Sequence, residues 1–350
     1  MQHPMVRFPD MVMDVVVYAF PRWKWSVVRQ CFPKANVTFV KPGAVIPDGV
    51  WLLLWGKSNL PQGLASDIRV LRMEDGFLRS VGLGAELVRP LSWVIDGRGM
   101  YYDATTPSDL ECILATHPFD EALCARAAEL RECIVASRLT KYNVGGGFWT
   151  RPSHATRVIL VPGQVESDAS LAYGAPGERI NMGLLRTVRA MHPRAYIVYK
   201  PHPDVVARLR KQGVCEQDAI AWCDEVLTDV SMGDLLLLVD EVHVLTSLTG
   251  FEALLQGKRV VCHGQPFYSG WGLTHDCVPN PRRQRRLSLD ALVAGVLIEY
   301  PLYMSRDGKV LISAEQALDT LVQWRQRRGM KVHWWQRITR TILRIFIGVR

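Results

Sequence analysis

Adjacent carboxylates stand out first in this 350-residue chain. Glu74 and Asp75 end a short apolar run, and Arg79 follows them within the segment MEDGFLRS. Carboxylates at the end of a strand suit a general base or a ligand site. The alternative is a turn aspartate that caps a helix and forms an ion pair with Arg79.

A second polar segment, VPGQVESD, contains Gln164, Glu166 and Asp168. In an extended chain, alternate residues face the same side, so these three side chains can share one cavity. A carboxylate here suits a nucleophile or a general base. The alternative is a solvated loop with a helix N-cap.

A third segment, YKPHPD, holds Lys200 and His202 beside two prolines. Proline restricts its own backbone and that of the residue before it, so the direction of the imidazole is fixed. A lysine and a histidine together suit a phosphate leaving group. The alternative is a loop histidine whose hydrogen bonds are satisfied locally.

Hydroxyl side chains form the fourth segment, VLTSLTGFEA, which includes Ser247 and Thr249. A strand is predicted to end here and a helix to begin. Hydroxyls and free backbone N–H groups at a helix N-terminus form an anion site. An ordinary hydroxyl N-cap is the alternative.

The elements that position these segments follow from short apolar, β-branched runs that alternate with helical patterns. The predicted strands are Asp14–Phe20, Asn36–Val40, Val50–Gly56, Ile68–Met73, Trp93–Asp96, Arg157–Pro162, Ala195–Lys200, Leu235–Asp240, His243–Leu245 and Arg259–His263. The predicted helices are Ser108–His117, Asp120–Lys141, Asn181–His192, Val205–Lys211 and Phe251–Gln256. This alternation predicts an α/β fold with parallel sheets and helices on both faces.

The segment Tyr142–Pro152 (YNVGGGFWTRP) has three glycines and no periodicity, which is typical of a linker. It predicts an N-terminal Rossmann-like domain over 1–145 and a C-terminal one over 153–310, followed by C-terminal helices over 311–350. We expect a cleft between the two domains. In such sheets, ligands bind at the carboxyl ends of the strands, where the polar segments lie.

The net charge of +8 comes from the C-terminal segment, and the rest of the chain has no net charge. Residues 325–350 contain eight basic residues and no acid, which leaves 34 basic against 34 acidic residues elsewhere. A nucleic-acid partner would require a basic face on the folded body, so none is expected.

Metal and nucleotide motifs are absent from the sequence. There is no D-x-D, no P-loop and no His/Cys cluster with zinc spacing. His192, His243, His263 and His275 are therefore interpreted as structural or surface histidines. We expect no metal and no cofactor.

Residues 331–350 place apolar and aromatic side chains at helical spacing, with arginines between them. This pattern predicts a basic amphipathic helix on an anionic membrane surface. The alternative is a helix that packs back onto the N-terminal domain. Eight cysteines without a C-x-x-C pair indicate a reducing compartment. With no signal peptide or spanning segment predicted, we expect a cytoplasmic protein on the inner face of the membrane.

Six motifs occur in a recognisable order between roughly residues 70 and 275. They are EDGFLRSVGLG (Glu74–Gly84), DGRGMYYDATTPSDLE (Asp96–Glu111), PGQVESD (Pro162–Asp168), KPHPD (Lys200–Asp204), SLTGFEALLQGK (Ser247–Lys258) and GQPFYSGWGLT (Gly264–Thr274). With these, the chain resembles the capsule polysaccharide Kdo transferases of the KpsC type. The resemblance implies a glycosyltransferase-B-like fold and transfer of β-Kdo from CMP-Kdo to a saccharide or glycolipid, with retention. Full-length enzymes of this type have two modules, and this chain resembles one.

The resemblance also implies roles for the carboxylates. Asp168 would be the nucleophile that forms a covalent sugar adduct, as in retaining glycosidases. Glu166 and Gln164 would position the nucleophile or the sugar. Either Glu74 or Asp75 would be the general base for the acceptor hydroxyl.

The remaining residues would bind the donor. Lys200, His202 and the helix start at Ser247 and Thr249 would hold the CMP phosphate and stabilise its departure. Arg79 would grip the Kdo carboxylate through its guanidinium. This arrangement requires no metal.

Three alternatives remain open. The chain could be a transferase for another CMP-activated acidic sugar, such as a sialic acid. It could be a non-catalytic module that binds polysaccharide or lipid beside capsule assembly proteins in an export complex. A nucleotide-sugar epimerase of similar fold is the third alternative, and it would react without an acceptor.

Overall fold

The computed structural model describes residues 13–82 and 88–329. Its strands are β1 (Asp14–Tyr18), β2 (Asn36–Val40), β3 (Trp51–Trp55), β4 (Arg69–Asp75), β5 (Ser92–Asp96), β6 (Val158–Pro162), β7 (Tyr196–Lys200), β8 (Glu225–Val226), β9 (Glu241–Val244), β10 (Arg259–Cys262), β11 (His275–Asp276), β12 (Leu302–Met304) and β13 (Leu311–Ile312).

The α-helices vary from one turn to about four turns. They are α1 (Trp25–Cys31), α2 (Asp109–Thr116), α3 (Glu121–Ala136), α4 (Ala169–Gly174), α5 (Asn181–Met191), α6 (Pro203–Val206), α7 (Met232–Leu238), α8 (Leu248–Leu255), α9 (Leu289–Val293) and α10 (Ala314–Gly329). Arg22–Lys24 and Glu216–Ala221 are 3-10 turns, and Ala294–Glu299 is a π-helical segment.

The described chain divides into two compact units. The first contains 13–79, 89–128 and 290–320, and the second contains 80–82, 88, 129–289 and 321–329. The segments of the two units alternate along the sequence, whereas the linker predicted two contiguous domains. The physical reason is strand pairing, because β12 and β13 join the sheet of the first unit after the chain has built the second.

The sheet of the first unit has the order β13-β12-β5-β4-β3-β1-β2. Strands β1 to β4 pair in parallel, whereas β4–β5, β5–β12 and β12–β13 are antiparallel. The prediction of purely parallel sheets is therefore wrong for this unit. The antiparallel strands β5, β12 and β13 all lie on one side of the sheet. Strands β1 to β4 keep the predicted parallel pairing, although in the described residues no helix separates β2, β3 and β4.

The sheet of the second unit has the order β11-β10-β9-β6-β7-β8, and every pairing in it is parallel. Helices follow β6, β7 and β9, as the alternation predicted. The carboxyl ends of these three neighbouring strands lie at one edge of the sheet. That edge receives three of the four polar segments.

Residues on both faces of the central strands are buried. In β1, Val15 and Val17 pack with Val27 of α1 in one cluster, while Val16 packs with Leu52 in another. Full burial of each such side chain contributes about 1.5–3 kcal/mol. The continuous apolar runs in the sequence are explained by this two-sided burial.

The strand predicted at Leu235–Asp240 is wrong, because its first four residues belong to α7 and Val239 is the C-cap of that helix. Ser231 caps the helix by accepting a hydrogen bond from the Asp234 N–H at 3.1 Å. Leu235 and Leu236 are both buried whereas Leu237 is 42% exposed, which is a helical and not a strand pattern. A short apolar run does not distinguish the two structures by periodicity alone.

The helix predicted at Val205–Lys211 is much shorter in the structure. It is α6, with proline in its first turn. Arg208 adopts φ +57°, which ends the helix.

Within the described residues, no helix combines the length and the apolar character that a bilayer crossing requires. The amphipathic helix predicted at 331–350 lies outside the described residues. All eight cysteines are free thiols.

Candidate active site

Gln164, two residues after the last residue of β6, connects two neighbouring strand ends. Its side-chain Nε2 donates to Thr246 Oγ1 at 3.0 Å, and its Oε1 accepts from the Thr246 N–H at 2.9 Å. Its backbone exchanges two further hydrogen bonds with the Asn181 side chain. Gln164 is 8% exposed. The side chain that was predicted to bind the donor therefore holds the ends of β6 and β9 together through hydrogen bonds.

Both carboxylate oxygens of Glu166 accept a hydrogen bond from the backbone. Its Oε1 accepts from the Asn181 N–H and its Oε2 from the Val214 N–H, each at 2.9 Å. A carboxylate that accepts backbone N–H groups with both oxygens holds loops together. It therefore positions the segment that carries Asp168.

Asp168 is the N-cap of α4, and its Oδ1 accepts from the Ser170 N–H at 2.8 Å. The N-cap alternative is thus confirmed. The side chain is nevertheless exposed, and no hydrogen bond to its Oδ2 occurs within the described residues. Capping leaves one carboxylate oxygen open to a ligand.

His202 is the N-cap of α6, and its Nδ1 accepts from the Asp204 N–H at 3.1 Å. Burial, reinforced by the positive charge of Lys141, lowers the pKa of His202 to about 4, although Asp168 opposes the shift. The imidazole is therefore neutral near pH 7. Because Nδ1 accepts, the ring proton is on Nε2. His202 offers an N–H donor and not a positive charge.

Lys200, the last residue of β7, is 7% exposed. Its ammonium group lies 3.4 Å from the carbonyl oxygen of Thr228. Burial lowers the pKa of Lys200 to about 8, and the charge of Asp229 opposes this shift. Lys200 is therefore a cation whose charge is sensitive to mildly alkaline pH.

Ser247 caps α8, because its Oγ accepts from the Thr249 N–H at 3.2 Å. Here too the N-cap alternative is confirmed. Tyr268 donates its hydroxyl to the Ser247 carbonyl oxygen. A Cβ atom at Gly250 would lie 2.2 Å from that tyrosine hydroxyl, so glycine is required for the close approach.

The first polar segment belongs to the first unit. Arg79, 5% exposed, donates from Nε to Asp75 Oδ2 at 2.6 Å, so the ion-pair alternative is confirmed. Glu74 Oε1 accepts from the Asp75 N–H at 3.0 Å. Gly76 is required because a Cβ there would lie 2.0 Å from Ser92 Oγ.

Lys24 is a candidate functional residue that the sequence analysis did not identify. It is 7% exposed, and its ammonium lies over the rings of Trp23, Trp55 and Trp93. Burial lowers the pKa of Lys24 to about 7, while the charge of Asp75 opposes the shift. The segment RWKW (Arg22–Trp25), which begins four residues after the last residue of β1, is the sequence feature that could have indicated it.

The edge of the second sheet therefore combines an exposed carboxylate, a cation, a neutral N–H donor and a capped helix start. Asp168 and His202 lie close enough for the carboxylate to influence the imidazole. Such a set suits an anionic leaving group beside a nucleophile. Glu74, Asp75 and Arg79 are held together separately in the first unit.

Comparison with known proteins identifies similar chains. The family described as "Capsule polysaccharide biosynthesis protein" matches residues 59–148 and 149–304. Capsule polysaccharide modification protein LipA of Neisseria meningitidis serogroup B is 45% identical over 311 residues, which cover 86% of this chain and 44% of LipA. Lipopolysaccharide-processing protein LpsZ of Rhizobium meliloti is 38% identical over 83% of this chain and 70% of LpsZ. The chain thus spans less than half the length of LipA.

Two solved structures from Thermosulfurimonas dismutans are similar in fold. The KpsC β-Kdo 2,7 transferase superposes with a TM-score of 0.72 at 40% identity, covering 89% of this chain and 99% of that one. The KpsC β-Kdo 2,4 transferase gives a TM-score of 0.73 at 30% identity, covering 87% and 97%.

Proposed function

Because the chain belongs to the capsule polysaccharide biosynthesis protein family, we propose that it is a glycosyltransferase of capsule synthesis. The reaction transfers β-Kdo from CMP-Kdo to a saccharide or glycolipid acceptor. The similarity to two KpsC transferases supports Kdo as the sugar. Two units that each contain their own α/β sheet support a glycosyltransferase-B-like architecture.

The exposed, half-satisfied carboxylate of Asp168 is the observation that carries the proposal. Its free oxygen attacks the anomeric carbon of Kdo, the C–O bond to the phosphate breaks, and CMP leaves. The acceptor hydroxyl then attacks the same carbon, releases its proton to a base and frees the carboxylate. Two inversions give net retention, as in retaining glycosidases.

The leaving phosphate is stabilised by groups that match its charge. Lys200 supplies a positive charge, and His202 supplies an N–H donor from Nε2. The start of α8, at Ser247 and Thr249, adds the positive end of a helix dipole. These protein groups supply the neutralisation, so we propose no metal at this step.

Glu74 or Asp75 is proposed as the general base for the acceptor hydroxyl. Arg79 is ion-paired with Asp75, so a role in binding the Kdo carboxylate would require this pair to open. Separate Glu74→Gln and Asp75→Asn variants distinguish the two carboxylates. The true base variant forms the sugar adduct normally but transfers the sugar slowly.

The decisive experiment follows CMP release and intact protein mass after mixing with CMP-Kdo, with CMP-sialic acid as a parallel donor. We expect CMP release from CMP-Kdo and a mass increase of one Kdo residue. Asp168→Asn is the matched control and should gain no mass. Turnover of CMP-sialic acid alone would assign the donor to another acidic sugar. Binding of glycan without any CMP release would indicate a non-catalytic module.

We also propose peripheral attachment to the inner face of the cytoplasmic membrane, beside other capsule assembly proteins. The support is the charge of residues 325–350, eight basic residues without an acid. Each basic residue near anionic lipid contributes roughly 1 kcal/mol. Deletion of 331–350 should abolish sedimentation with anionic liposomes, and unchanged sedimentation would contradict the proposal.

A further inference from the structure

A cluster of histidine and glutamate side chains lies on one face of the second sheet. Glu241 and His243 are alternate residues of β9, so their side chains share this face. His192 follows the last residue of α5, and His263 follows β10. Glu241 is 2% exposed and His243 is fully buried.

The contacts within the cluster form a chain. His243 Nε2 lies 2.8 Å from Glu241 Oε1, and His243 Nδ1 lies 3.0 Å from His263 Nε2. Glu241 Oε2 accepts from Arg157. His192 Nε2 is buried and has no hydrogen-bond partner in the described part of the chain. A buried polar nitrogen without a partner is costly and requires an explanation.

Ligand atoms from His192, Glu241 and His243 all lie within 4.8 Å of one another. We propose that these three side chains bind a divalent transition-metal ion, with Zn²⁺ as the best match. Imidazole nitrogen and carboxylate oxygen are zinc ligands, and water completes the coordination. The ion would supply the partner that His192 Nε2 otherwise lacks.

The surrounding groups match the outer shell of a metal site. Metal-bound histidines commonly donate their second N–H to a neighbour, and bound carboxylates are hydrogen-bonded in turn. His263 accepts from His243 in this arrangement, and Arg157 orients Glu241. Arg157 and Arg259 also face Glu241, so the ion competes with two cations. A metal-free Glu241–His243–His263 hydrogen-bond chain is the competing state.

The position indicates a structural role. Helix α5 begins at Asn181, which is bonded to Gln164 at the carboxyl edge of the sheet. Eleven helical residues span about 16 Å, so His192 lies far from that edge. The ion would fasten the end of α5 to β9, independently of the proposed transfer reaction.

The test uses the full chain after chelator treatment, titrated with Zn²⁺ and, for spectroscopy, with Co²⁺. We expect one ion per chain and visible Co²⁺ absorption typical of low coordination number. At a free zinc concentration a hundred times Kd, the melting temperature should rise by roughly 4 °C for a chain of this length. Failure to take up zinc, together with an unchanged melting temperature, would overturn the proposal.

Variants separate the site from adventitious binding. His192→Ala removes a side chain whose Nε2 has no hydrogen-bond partner among the described residues, so the protein should fold and lose zinc binding. His263→Ala should lower the affinity 10–100-fold, as expected for an outer-shell partner. His275→Ala, at an exposed histidine of β11, is the matched control and should bind like wild type. Tight zinc binding by His192→Ala would assign the metal elsewhere.

Discussion

Gln164 and Thr246 are joined by two hydrogen bonds, one from the Gln164 side chain to Oγ1 and one from the Thr246 N–H to the side chain. They connect the ends of β6 and β9, which carry Asp168 and Ser247 respectively. The candidate nucleophile and the candidate phosphate-binding helix start are therefore set relative to each other by a buried amide. This relationship has a measurable consequence.

Gln164→Leu should destabilise the protein by about 1–3 kcal/mol, because it removes two hydrogen bonds to the half-buried Thr246 that each contribute about 0.5–1.5 kcal/mol. It should also raise KM for CMP-Kdo, since Thr246 precedes the capped start of α8. Urea denaturation and initial rates measure the two effects. Gln217→Leu, at an exposed glutamine, is the control. Unchanged stability and KM in Gln164→Leu would show that Gln164 does not hold the ends of β6 and β9 in place.

Asp168→Asn should abolish transfer while CMP still binds. Asparagine caps a helix as well as aspartate does, so stability should change by less than about 0.5 kcal/mol. Asp168→Ala should lose both transfer and about 0.5–2 kcal/mol of stability. Product formation and thermal melts distinguish the two variants. Normal turnover in Asp168→Asn would exclude this residue as the nucleophile.

His202→Asn separates the two functions of the imidazole. The asparagine oxygen can still accept the Asp204 N–H, but the donor at the Nε2 position is lost. We expect near-normal stability and a raised KM for CMP-Kdo. His202→Ala should both lower the stability and raise KM for CMP-Kdo, because it also removes the N-cap of α6. A normal KM in both variants would rule out a contact with the donor.

Lys200 predicts a pH dependence. Its pKa is about 8, and only the ammonium form attracts phosphate, so donor affinity is fully present below pH 8 and is lost above it. KM for CMP-Kdo should rise about tenfold per pH unit beyond that point. Lys200→Arg keeps its charge and should flatten the profile between pH 7 and pH 9. Identical profiles would show that another group titrates.

Lys24 predicts a pH dependence of stability. Its pKa is about 7 in the folded chain and near the ordinary lysine value of 10.5 in the unfolded chain, so the unfolded chain binds more protons between these values. Stability from this residue therefore rises with pH across that window. Lys24→Met should be more stable than wild type near pH 7, and this advantage should shrink towards pH 10. Lys41→Met, at an exposed lysine of the same unit, is the matched control.

The sequence by itself determined the α/β class, most strands and the polar segments at their ends. A strand that is buried on both faces can be recognised from its own residues, because the side chains on both faces must be apolar. The helix capping by Asp168 and Ser247 was likewise an alternative that residue type allowed. The prediction of a strand at Leu235–Asp240 was wrong because a short apolar run is compatible with a strand or a helix. The N-cap at Ser231 stabilises the helix.

Only the tertiary structure decided which polar groups are already occupied. The hydrogen bonds of Gln164 to Thr246 and of Glu166 to Val214 join residues 82 and 48 positions apart. The cluster of His192, Glu241, His243 and His263 is assembled in the same way, so no local spacing reveals it. Side-chain chemistry is encoded residue by residue, but which groups meet is set by long-range strand and helix packing.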